Sequence, residues 1–576
     1  MDCPAFCHPT LAILGSGLAN GSAVGLAFLL GLGLVSLAAI VPGPPAGALP
    51  SRVSDRAWWV WGCVVLLVLL AARLAYIASG SIELSQDEAY QWLWSKHLAL
   101  SYYSKPPLIA YTQFLGTWLW GDTELGVRFF APVITTVLGF AMLGFFAREY
   151  NVRLGFALIL ITTATPLLAV GATLMTIDPL NVLFWTVAML AGWRAVQLDG
   201  KTRYWLWVGL WMGLGFLSKY TELFQWLCWA VFFALWRPAR AHLRRPGPWL
   251  ALLVNVLLAL PVLVWNWQHD WVTITHVNDR AEFGKAFNFT LRYVGDFLGA
   301  EAGLLNPVFY VGLVLAAFAF WRAGPRNAGM IYWFSMSVPL VAVYFLQSFH
   351  ARVLPNWMAP AVLPLLILMA LYWDSRRGRP WVWRWFRVGL GLGFLALILM
   401  SETDLIGLAT GHYLPVGLDP LHRLRGWREV ARVVGEARES LLREGKPVFV
   451  LCPEYGFTSE ITFYLQPARD AVGGRPVVCV QQSGQPESQF DFWPEYRYRE
   501  RVGDNAIIVE RLERPRRESD PPPAPQPVPE RIRRQFARVE SLGVFHADYR
   551  GHPIWWFQMF AGRNQLPADP AVAAGR

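Results

Sequence analysis

From position 57 to position 400 the chain alternates long apolar runs with short polar breaks, most of which carry arginine. A helix that crosses the hydrocarbon core of a bilayer needs about 20 apolar residues, and shorter runs cross where their ends snorkel or the bilayer thins. By that measure spans are predicted at 57–79, 127–147, 154–173, 179–196, 204–218, 221–236, 249–268, 303–321, 329–346, 357–373 and 383–400. Residues 1–50 hold a further apolar, Gly-rich stretch at 11–42, which reads as an extra span, a poor signal-like segment or an overextended gene start. The expectation is a polytopic α-helical membrane protein of about 11 to 12 spans.

The polar breaks orient these spans. Arg52 and Arg56, Arg148 and Arg153, Arg194 with Lys201 and Arg203, Arg237 to Arg245, Arg322 with Arg326, and Arg376 to Arg387 all fall on one side if the spans alternate. The positive-inside rule makes that side the cytoplasm. Arginines at both ends of 204–236 favour two crossings over one long helix. The loops 80–126, 173–178, 218–222, 269–302 and 347–356 then share the outer face, and so does the tail.

Beyond the spans the period changes. A helical pattern near 425–443, an apolar run at 448–451, a helical stretch near 458–465 and apolar runs at 477–480 and 506–509 predict a small soluble α/β domain over 401–576. A Pro-rich segment within 514–529 reads as a linker or exposed loop, followed by a charged helix near 530–541 and an aromatic strand around 554–560. The chain is thus expected to divide into the extension 1–50, a membrane domain at 51–400 and an extracytoplasmic α/β domain.

Composition agrees: 55% of residues are hydrophobic and only 16% charged, which excludes an ordinary soluble globule. The net charge of +10 resides in the loop clusters that orient spans, so no nucleic-acid partner is expected. Six cysteines show no zinc-ligand or redox spacing. Cys452 and Cys479 are either partners in an oxidising compartment or two buried thiols. Trp92, Trp94, Trp118 and Trp120 fit an interfacial aromatic belt better than a lipid groove. No Gly-rich phosphate loop follows a predicted strand, which argues against a nucleotide-driven pump.

Ionisable residues beside spans are functional candidates. Asp87 and Glu88 follow the first span, Lys105 lies in Tyr103-Ser104-Lys105-Pro106-Pro107, and Asp178 immediately precedes Pro179 at the start of another span. Asp87 and Asp178 also suit helix caps, although two such acids on one membrane face favour a shared role. His276 and Arg280 are four apart and share a face if their loop is helical. His350, Arg352 and Asn356 occupy another outer loop, while Lys219 pairs with Glu222 in a structural turn or contacts substrate.

The ordered set Asp87-Glu88-Ala89-Tyr90, Tyr103 to Leu108, Gly121-Asp122, Glu124 to Arg128, Ile177-Asp178-Pro179, Leu217 to Tyr220 and Pro355-Asn356-Trp357 resembles bacterial GT-C-type glycosyltransferases. That family includes the protein O-mannosyltransferases and the lipid A aminoarabinose transferase. Leu424 to Glu429, Thr458 to Tyr464 and Gln489 to Pro494 are similar to the tail of many such proteins. The resemblance implies inverting transfer of a sugar from a polyprenyl-phosphate donor to a lipid, protein or glycan acceptor. It places that reaction on the outer face of the cytoplasmic membrane, in contact with membrane lipids.

Displacing a phosphate from an anomeric carbon needs a base for the acceptor and positive charge for the leaving group. Asp87 is the candidate base or acceptor-orienting carboxylate, Asp178 assists the acceptor or positions a basic partner, and Glu88 is a third acid. Lys105, His276, Arg280 and Arg352 are candidate phosphate ligands, with Tyr103, Lys219, His350 and Asn356 as further substrate contacts. In the aminoarabinose enzyme a glutamate before the lysine and a loop histidine are associated with a metal. Here Ser104 holds that first position, so no metal or other cofactor is expected. The alternative, a secondary transporter or flippase, calls for polar groups at mid-span and repeat symmetry, neither of which the chain displays.

Overall fold

Each of the eleven apolar stretches forms helix in the structure, a computed structural model that describes residues 53–197, 201–282, 289–323, 327–483, 485–513, 521–549 and 551–567. The apolar stretch at 11–42 and the first part of the Pro-rich segment lie outside the described residues. Among the described residues seven helices are long and apolar enough to cross a membrane, or eight if the bent pair Arg292–Leu304 and Pro307–Phe320 counts as one span. The remaining stretches are shorter helices such as Val152–Thr163 and Tyr220–Leu235. The described residues form two compact units, one from 53–75, 98–115 and 128–397, the other from 76–97, 116–127 and 398–567.

In the first unit the span within Ile177–Gln197 is 83% buried and that within Pro355–Asp374 78%, whereas the span within Asp55–Ala78 is only 17% buried. A helix apolar all round with its sides unpacked is suited to lipid, while the buried helices form the protein interior. Helix Ile177–Gln197 packs on Thr202–Ser218, which packs in turn on Pro246–Gln268. A Cβ on Gly209 would stand 2.4 Å from the Ala251 carbonyl oxygen, so this glycine sets how closely the latter pair approach. The stretch 204–236 does break into two helices, Thr202–Ser218 and Phe224–Leu235, joined through the turn Tyr220–Leu223.

The second unit is built on a five-stranded sheet: β1 (Val448–Cys452), β2 (Val478–Val480), β3 (Asn505–Arg511), β4 (Phe536–Tyr549) and β5 (His552–Gln565). Their order is β2-β1-β3-β5-β4, with β1 parallel to β2 and β3, and β5 antiparallel to β3 and β4. The charged segment expected as helix near 530–541 is one turn, Glu530–Arg533, and then strand β4. Its charges belong to a half-exposed edge strand whose pairing partner, β5, is buried along most of its length. Helix Trp427–Leu442 covers one face of the sheet through Trp427, whose ring lies 4.5 Å from that of Trp555.

One open alternative is decided and one expectation is corrected. Register pairs Leu451 with Cys479 and Cys452 with Val480, so the two thiols point to opposite faces of the sheet and belong to different cores. Both are buried and unpaired. Trp92 and Trp94 are core residues of the second unit, 0% and 1% exposed, and only Trp118 and Trp120 of that quartet are exposed.

Arg425 organises this unit. It is buried, with its guanidinium 3.0 Å from Glu402, 3.0 Å from Asp419 and 3.4 Å from Asp404. Removing one partner of a buried ionic cluster leaves uncompensated charge and costs about 3–5 kcal/mol. Arg425→Met is therefore expected to lower the melting temperature of the purified protein by several degrees, which thermal unfolding in detergent would check. An unchanged melting temperature contradicts this account.

Candidate functional site

In the first unit the start of helix Ile177–Gln197 places Asp178 between two other segments. Lys219 Nζ donates to Asp178 Oδ1 at 2.7 Å and to the Asn356 carbonyl at 3.0 Å, while Asn356 Nδ2 donates to Asp178 Oδ2 at 2.9 Å. The backbone explains the reach: Lys219 is extended between helix Thr202–Ser218 and the turn at Tyr220, and Asn356 lies in the single turn Pro355–Met358. Lys219 does not pair with Glu222. Glu222 instead accepts from Asn181 at 2.6 Å, one turn further along the Asp178 helix.

Asp178 and Asn356 line a largely apolar groove walled by residues such as Leu66, Met142, Ile159 and Leu167. The polar members that sequence reasoning passed over are Arg73, Thr135, Thr162, Thr163 and Thr176. A lone arginine in an apolar span is itself a signal.

A second cluster in this unit gathers residues far apart in sequence. Helix Val272–Ala281 follows the end of the span at Gln268 and carries His276 and Arg280 one turn apart, as the spacing predicts. The His276 ring lies 4.8 Å from the ring of buried Tyr103. Burial lowers the His276 pKa to about 4, and the positive charges of Lys105 and Arg280 add to the depression. These cations oppose a bound metal ion, and Ser104 adds no carboxylate, so the residues present do not fit a cation site. His350 contacts the Glu282 carbonyl at 3.4 Å, and Arg352 is exposed.

In the second unit Asp87 is the second residue of helix Gln86–Lys96, and Ser85, not Asp87, caps that helix. Glu88 completes the capping box, accepting from the Ser85 backbone at 3.0 Å and its hydroxyl at 2.9 Å. The Glu88 carboxylate is thereby held to the helix start, while Asp87 is exposed. Asp87 shares a polar pocket with Arg423, Tyr455 and Arg511, three residues sequence reasoning did not single out. The Tyr455 hydroxyl approaches Asp87 Oδ1 at 3.5 Å.

Residues 104–265 match the model of the dolichyl-phosphate-mannose-protein mannosyltransferase family, a region that begins at Ser104-Lys105 and includes Asp178 and Lys219. Over that region the chain is similar to glycosyltransferases of the GT-C kind. It is 29% identical over 313 residues to lipid A galacturonosyltransferase RgtD of Rhizobium johnstonii, covering 53% of this chain and 64% of that protein. An undecaprenyl phosphate-alpha-4-amino-4-deoxy-L-arabinose arabinosyl transferase of Edwardsiella ictaluri is 27% identical over 298 residues, covering 49% of this chain and 51% of its own length. The chain thus spans between half and two thirds of these curated relatives. ArnT from Cupriavidus metallidurans shares the fold, with a TM-score of 0.56, 15% identity and coverage of 88% of this chain and 98% of that one. That fold therefore extends over most of the chain.

Two outcomes test this geometry. Lys219→Met removes the cation from a nearly buried pair and is expected to destabilise the protein by on the order of 2 kcal/mol. In the double variant with Asp178→Asn much of that loss returns, measured by thermal unfolding. An additive double variant excludes the coupling. For His276 the depressed pKa favours the neutral ring, so its contribution to stability is fully present above the unfolded value of about 6.5 and lost as pH falls toward 4. Imidazole NMR should give a midpoint near 4 that Lys105→Met raises. A midpoint of about 6.5 in the parent contradicts the arrangement.

Proposed function

We propose that this protein is an inverting glycosyltransferase that moves a sugar from a polyprenyl-phosphate donor to an acceptor on the outer face of the cytoplasmic membrane. The observation that carries the reading is the convergence of Lys105, Arg280 and His276 just beyond a membrane span. A prenyl chain must stay in the bilayer while its phosphosugar head meets the acceptor, and a cationic cluster at a span end suits that phosphate. The matched family and both curated relatives are named for sugar transfer, two of them for a polyprenyl-phosphate donor. Outward orientation rests on the arginine-bearing loops and the positive-inside rule.

In this reading Asp87 takes the proton from the acceptor hydroxyl as its oxygen attacks the anomeric carbon from the face opposite the phosphate. The bond from that carbon to the phosphate oxygen breaks, and its electron pair leaves on the phosphate. Lys105 and Arg280 stabilise the charge that develops there, and neutral His276 offers a ring N–H. Asp178, held by Lys219 and Asn356, presents a fixed carboxylate surface to the acceptor rather than a free base.

Purified protein in lipid, offered a panel of radiolabelled undecaprenyl-phosphate sugars, is expected to release undecaprenyl phosphate from at least one. Asp87→Asn and Lys105→Ala should each slow that release by at least about 100-fold with the melting temperature preserved. No release from any donor, together with saturable solute transport that depends on the same residues, would replace the transferase with a transporter.

A further inference from the structure

Arg73 lies in the apolar helix Val53–Ala78, where a charge is expensive to place. Leu66, Leu69 and Arg73 share one face of that helix and all three line the groove that reaches Asp178. Among the described residues Arg73 has neither a hydrogen bond nor an ion pair. The acid sharing its groove does not neutralise it, because both oxygens of Asp178 are engaged by Lys219 and Asn356. The groove thus combines an unmatched guanidinium with a long apolar wall, the chemistry of an anionic lipid.

The same groove is separate in its lining from the other cationic cluster. None of Lys105, His276 and Arg280 borders it, whereas Asp178, Asn356 and Thr176 do. Two cationic stations in one membrane unit correspond to two amphiphiles with acidic heads.

We propose that this groove holds the acceptor, an anionic lipid whose tail runs along Leu66, Met142 and Leu167 and whose phosphate or carboxylate rests on Arg73. The assignment rests on the transferase reading above, and it narrows the acceptor to a membrane lipid bearing an acid. A bidentate guanidinium contact selects a planar or tetrahedral oxyanion over a neutral head, and net charge favours an acidic lipid over a zwitterionic one. The apolar walls contribute affinity without head-group selectivity.

The test uses the full chain in phosphatidylcholine nanodiscs, with radiolabelled phosphatidic acid as the probe and undecaprenyl phosphate measured separately. Arg73→Gln and Leu167→Trp should each weaken phosphatidic acid binding about tenfold, and Arg73→Lys by less. Undecaprenyl phosphate binding should stay within about twofold in all three, and fall in Lys105→Ala. Equal loss of both lipids in Arg73→Gln would assign the groove to the donor and overturn the proposal. Phosphatidic acid binding indifferent to Arg73→Gln would make Arg73 a snorkelling interfacial residue and overturn it as well. Failure of the parent to turn over any polyprenyl donor, with Arg73-dependent phosphatidic acid binding intact, would leave a lipid site but remove its acceptor role.

Discussion

Asp178 is held at the lip of an apolar groove by Lys219 and Asn356, which bond one carboxylate oxygen each. Their partners lie 41 and 178 residues away in sequence, so the pairing exists only once three separate segments of the helical unit have packed. A nearly buried ion pair is weak evidence for stability in itself, since desolvation offsets much of its Coulomb gain. Its value here is geometric. One carbonyl and one amide of Asn356 fix both ends of the pair, so the carboxylate plane and the lysine cannot turn independently. The groove's polar end inherits that fixed geometry.

That arrangement also divides the labour among the acids. Glu88 is consumed in a capping box and Glu222 is held by Asn181, so neither offers a free carboxylate. Asp178 is paired with a cation, and among the described residues Asp87 is the acid candidate that stays exposed beside arginines without an ion pair. The cations divide likewise. Lys105 and Arg280 act together on one histidine, whereas Arg73 stands by itself in the groove wall.

The helical framework was legible because bilayer burial writes itself into the chain as uninterrupted apolar length, and all eleven runs are helices. Short-range geometry was legible as well: the four-residue spacing of His276 and Arg280 needed only one turn of helix. The Ser85-x-x-Glu88 pattern was available in the sequence as a capping signature and would have released Asp87 from the suspicion of being a cap. Long-range pairings were not legible. Lys219 has an acid three residues away in Glu222, yet it turns to Asp178 because the extended backbone at Lys219 sends its side chain to another helix. The segment at 536–549 misled for a related reason: its charges suit an exposed helix or an edge strand equally, and only pairing with β5 decides between them.

The placement of Cys452 and Cys479 on opposite faces of the sheet has a consequence for maturation. Once β1 and β2 have joined, no rotamer brings the two sulfurs together, and the folded unit is indifferent to the redox poise around it. Oxidants can couple these thiols only in a chain whose strands have not yet zipped.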